Sequence, residues 1–147
     1  MFLSLSACRQ ERKISRTDKN PIAVFTKQDT TFILQAILDH RPLDSLLSFA
    51  FKGRQLKIVK DSIITSNLPL IKNNKPVLFV EVDSTNDELR RWYDPKFFMR
   101  VTKLVFKSAS EVEGVVYFKA IGLLCVYKLS KDDVRSWKIF YYHFYST

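Results

Sequence analysis

The 147-residue sequence predicts an α+β fold, in which a C-terminal antiparallel β-meander packs against an N-terminal helix and a second short helix. Three observations predict it. The C-terminal third holds four β-rich runs, 97–107, 112–120, 122–129 and 137–145, joined by short turns, the pattern of strands that pair with their neighbours. Near the start, Phe32, Ile33, Ala36 and Ile37 recur at helical spacing behind a capping signature, Thr26 with Asp29 three positions on. The composition, 46% hydrophobic and 14% aromatic, is that of a chain able to bury a core without disulfide or metal.

Residues 9–20 have no hydrophobic period and read as a flexible basic tether, within a segment 1–20 set apart from the fold. The folded domain is expected over residues 21–147. The first helix is expected over 27–40, stopped by Pro42, because the residue before a proline is driven out of helical angles. Residues 42–53 read as a short helix turning into an extended piece. Residues 55–65 read as strand, turn, strand. Asn73 and Asn74 mark a turn, since asparagine tolerates left-handed backbone angles, and residues 77–82 form a further β-rich run. Ser84 with Asp87 and Glu88 predicts the second helix, over residues 85–93, ended by Asp94-Pro95. In the first strand of the meander, strict alternation puts Phe98, Arg100, Thr102, Leu104 and Phe106 on one face. In the last it puts Trp137, Ile139, Tyr141, His143 and Tyr145 together.

The net charge is +9, unevenly spread. Residues 1–20 carry five basic and two acidic groups, residues 21–76 eight and four, and residues 77–147 eleven and nine. Such a bias favours solubility and weak attraction to anionic surfaces, and it speaks to association rather than fold. No segment has the run of about 18 apolar residues that a membrane-spanning helix needs. The two cysteines do not make a disulfide framework. Cys125, within Ile121-Gly122-Leu123-Leu124-Cys125-Val126-Tyr127, reads as a small buried hydrophobe.

The segment Leu5-Ser6-Ala7-Cys8 resembles the lipobox of small bacterial lipoproteins. The resemblance implies that cleavage leaves Cys8 at the N-terminus, where it is acylated, and that the basic residues of 9–20 suit an anionic leaflet. A secretory signal needs a charged segment and about 7–15 apolar residues before the cleavage site. Only seven uncharged residues precede Cys8, so the resemblance also implies that the signal begins upstream of Met1. The expected location is the bacterial envelope, facing the periplasm, with a cytoplasmic location as the alternative. The closing strands, 123–129 and 137–139, weakly resemble the cone-shaped nuclear-transport-factor-2-like class. That likeness would imply a curved sheet over a pocket.

Motifs for chemistry are sparse. There is no glycine-rich phosphate loop, no His-Glu-x-x-His and no Cys-x-x-Cys, and His40 and His143 have no partner at metal-ligand spacing. No cofactor, metal or catalytic residue is assigned. The aromatic strand Trp137-Lys138-Ile139-Phe140-Tyr141-Tyr142-His143-Phe144-Tyr145 is the most distinctive segment. Aromatics on both faces suggest a central, doubly covered strand, and Trp137, Tyr141, His143 and Tyr145 are the candidate pocket or interaction residues. His143 with Glu111 or Glu113 would make an acid–base pair if the fold joined them, although a half-buried histidine and a solvated strand edge explain them better. The first functional expectation is a lipid-anchored envelope protein with a non-catalytic domain that binds a protein partner or a small apolar ligand. The alternatives are a cone-fold isomerase or hydrolase with an acid–base pocket, and a cytoplasmic basic nucleic-acid-binding protein. Nucleic acid is the less favoured partner, because basic residues are not interleaved with the aromatics beyond Lys138.

Overall fold

The computed structural model describes residues 26–81, 96–133 and 136–147. The second helix expected over residues 85–93 and the lipobox both lie outside the described residues. Two helices open the fold, α1 (Lys27–Leu38) and α2 (Arg41–Phe51). They are followed by β1 (Lys57–Lys60), β2 (Ile71–Lys72), β3 (Lys75–Pro76) and β4 (Leu78–Glu81). The long strands are β5 (Phe98–Ser108), β6 (Glu111–Phe118), β7 (Leu123–Asp133) and β8 (Ser136–Ser146).

Thr26 caps α1 as expected. Its hydroxyl accepts the Asp29 N–H at 3.1 Å and donates to the Asp29 carboxylate at 2.9 Å. The helix ends at Leu38, one residue before its cap Asp39, close to the stop that Pro42 predicts. Pro42 then begins a helix rather than merely ending one. It lies in the first turn of α2, where its missing N–H costs nothing. The expected extended piece after Leu47 is helical instead, because Leu43, Leu47 and Phe51 form one buried stripe. Lys52 closes α2 in the left-handed conformation, at φ 43°. The strand–turn–strand expected over residues 55–65 yields only β1. Ile63 and Ile64 are held by a turn in which the Asp61 carboxylate accepts both their N–H groups. Asn73 and Asn74 make the expected turn, both at positive φ, between β2 and β3.

The main sheet has six strands in the order β4-β1-β5-β6-β7-β8. β1 runs parallel to β4 and β5, and the C-terminal four strands pair antiparallel as a meander. One face carries Met99, Val101, Val112, Val116, Cys125, Tyr127, Leu129 and Trp137, all buried beneath the helices. α1 sits directly on it: a methyl group placed on Gly114 would already touch Ile37 and Leu104. Ile33, Leu34, Ile37 and Leu38 of α1 and Leu43, Leu47 and Phe51 of α2 complete the core. Phe51 stacks on Phe97 with the rings 4.1 Å apart.

Two irregularities overturn the simple alternation. In β5, Val101 pairs with Val116 and Lys103 with Val115, so Thr102 is an extra residue. In β8, Ile139 pairs with Leu129 and Tyr141 with Lys128, leaving Phe140 as the extra residue. A bulge of this kind shifts every later side chain by one face. The strand reading of 122–129 also ends too early, since β7 continues through the segment 130–133 that the sequence marks as a turn.

Candidate functional site

β8 is an edge strand, not a central one, and its side chains are mostly exposed. Phe140 is 56% exposed, Tyr145 46%, Tyr142 44% and Tyr141 43%. Covering both faces of this strand would require a second layer, and among the described residues α1 and α2 supply one. The bulge at Phe140 divides the four residues that alternation groups together. Trp137 and Ile139 point with Leu129 and Lys131 toward the helices. Tyr141, His143 and Tyr145 pair with Lys128, Val126 and Leu124 on the face opposite the described helices. That face continues through Val115 and Tyr117 of β6 into an apolar band. The Lys128 ammonium lies 4.9 Å above the Tyr141 ring, a cation–π contact at the margin of the band. His143 lies beside Tyr145, with the rings 4.4 Å apart.

His143 and the carboxylates of β6 are not assembled into an acid–base pair. Glu113 gives its carboxylate to Lys103 at 2.6 Å, and that hydrogen bond, despite slight desolvation, holds its pKa below the ordinary glutamate value. Lys107 and Lys128 add to the lowering. Glu111 stands opposite Ser130, at the far end of β6 from His143 in register.

Trp137 serves a different cluster. Its indole N–H donates to the Asp29 carboxylate at 3.4 Å, and Lys131 donates to the same oxygen at 3.1 Å. Burial raises the Asp29 pKa, but the bonds from Lys131, Thr26 and Trp137 outweigh it, and the net shift is downward. One carboxylate thus holds the Thr26 cap of α1 and ties the helix to the β7–β8 hairpin.

The helix-side half of β8 holds a group that the sequence reading did not identify. His40, the residue between α1 and α2, places Nδ1 3.1 Å from the Tyr127 hydroxyl. Its ring also meets Tyr142 at 4.4 Å and Phe144 at 6.4 Å, edge to face. Burial lowers the His40 pKa and raises that of Tyr127, so it favours the neutral form of both partners of this hydrogen bond. No local sequence signal could have found it, because 87 residues separate the partners. Cys125 is fully buried behind this pair, as its apolar setting implies, and burial pushes its thiol up to about 12.

Among the described residues, no group of three or more His, Cys, Asp or Glu converges on a metal position, and no helix is long and apolar enough to cross a membrane. Comparison with family models, with curated proteins and with solved structures finds no match.

Proposed function

We propose that this chain is a lipid-anchored envelope protein whose α+β domain is a non-catalytic interaction module, with β8 and the sheet face opposite the described helices as the contact surface. The observation that supports this reading is the eleven-residue edge of β8, unpaired on its outer side among the described residues and bearing half-exposed aromatics. Aromatic side chains combine large apolar area with few rotatable bonds, so they lose little entropy when a partner covers them. A free strand edge adds a row of main-chain donors and acceptors that a polypeptide can pair with. The anchor rests on the lipobox-like Leu5-Ser6-Ala7-Cys8 and the basic residues that follow it.

The test has two arms. Mass spectrometry of the mature chain from native membranes should find an acylated Cys8 as the first residue. An unmodified Cys8 removes the anchor. A photo-crosslinking residue in place of Phe140, exposed and outside the core, should give a discrete polypeptide adduct in intact cells. Absence of any adduct removes the contact surface.

A further inference from the structure

The two edges of the main sheet differ. β4 is four residues long, and its terminal Glu81 is paired with Lys60 at 2.8 Å. β8 is eleven residues long, and its only charged side chain, Lys138, is paired with Asp132. Natural proteins usually protect an edge with charge, proline or a bulge. β8 has its bulge at Phe140, and from Tyr141 to its end at Ser146 no side chain is Lys, Arg, Asp, Glu or Pro.

The direction of the free main-chain groups follows from two hydrogen bonds. Thr147 N–H donates to the Gly122 carbonyl at 2.7 Å, and Lys131 N–H donates away from β8, to the Ser110 carbonyl at 2.8 Å. In an antiparallel ladder, bonded and non-bonded pairs alternate. Applied to the register, Tyr141, His143 and Tyr145 bond to β7, while Tyr142, Phe144 and Ser146 turn their N–H and C=O groups to the open edge. Three consecutive outward positions form a self-complementary set. An antiparallel copy of the same strand, centred on Phe144, matches Phe144 with itself and Tyr142 with Ser146, and gives about six main-chain hydrogen bonds.

We propose that the partner of the β8 edge is a second copy of this chain, paired antiparallel about Phe144 so that the two six-stranded sheets become one. The proposal rests on β8 being the contact surface. Three features favour a second copy over another occupant. The pairing uses every outward group of the segment and opposes no like charges. On the face opposite the described helices it sets His143 against Tyr145 of the other copy, and on the helix face it sets Tyr142 against Ser146. The area also fits. Tyr141, Tyr142 and Tyr145, of about 200 Å² each and just under half exposed, together with the strand edge, would bury less than about 1,000 Å² over two copies, the size of a weak, reversible contact. The dimer is therefore concentration-dependent rather than obligate.

Sedimentation of the full chain from about 1 to about 300 µM, a span reaching past micromolar affinities, tests this. The expected result is a reversible rise from monomer to dimer mass. H143K/Y145K and H143E/Y145E place like charges against each other across the two-fold axis. Each should remain monomeric, with an unchanged circular dichroism spectrum, and a one-to-one mixture should return to dimer mass. A wild-type chain that stays monomeric overturns the proposal. So do variants that dimerise alone, or a mixture that does not associate. A Phe140 crosslink to a different polypeptide, with the wild type monomeric, overturns self-pairing but leaves β8 as a contact surface. No crosslink at all takes both readings down.

Discussion

Lys72 is the clearest case of a side chain whose value lies in what it joins. It is 5% exposed, and its ammonium donates to the Leu38 carbonyl at 2.8 Å and to the Asp44 carboxylate. It therefore satisfies an orphan carbonyl at the end of α1 and an acid in the first turn of α2 at once. Lys72→Met should lower the urea midpoint by an amount equivalent to about 1.5–3 kcal/mol, the range for hydrogen bonds to charged groups. His40 makes a second prediction. Its folded pKa lies below the ordinary 6.5, so the unfolded chain binds the proton more readily. The stability that this residue contributes is complete above pH 6.5 and is lost as pH falls through the folded value. Denaturation midpoints should decline in that window, and His40→Asn should remove the decline. Asp29 and Glu113, also shifted down, give up their contributions only below their ordinary values of 3.8 and 4.5, so the steps separate.

At the level of elements, strands and helix ends carried the strongest local signals, and facing did not. The Thr26 cap, the Asn73-Asn74 turn and the four long strands were legible because each rests on neighbours in sequence. The sides of β5 and β8 were not. One extra residue at Thr102 and another at Phe140 reverse the alternation, and both are set by cross-strand register. For β8 this separated Trp137 from Tyr141, His143 and Tyr145, so the candidate surface was only partly readable. α2 was half-read for a related reason: its stripe of Leu43, Leu47 and Phe51 has meaning only with β5 and β6 beneath it. Its C-terminus yields a prediction. Lys52 adopts φ 43°, ψ 51°, a conformation that glycine occupies without the clash at Cβ. Lys52→Gly should raise stability by about 1 kcal/mol, read from the thermal or denaturant midpoint.

For the molecule as a whole, the strand order sets a gradient of protection. Among the described residues, β6 and β7 are paired on both sides and lie under the helices, whereas β8 is paired on one side. Amide exchange should be slowest in β6 and β7. In dilute solution it should be fast at Tyr142, Phe144 and Ser146, whose N–H groups face the open edge, and these three should slow as concentration rises. Cys125 offers an independent gauge of the same hierarchy. Its thiol is sealed in the centre of the layer and reluctant to ionise, so an alkylating reagent reaches it only when the whole domain comes apart. With Cys8 replaced by serine, the rate of labelling at this single sulfur becomes a clock for global opening. Any ligand that binds the native form should slow that clock, wherever on the surface it attaches.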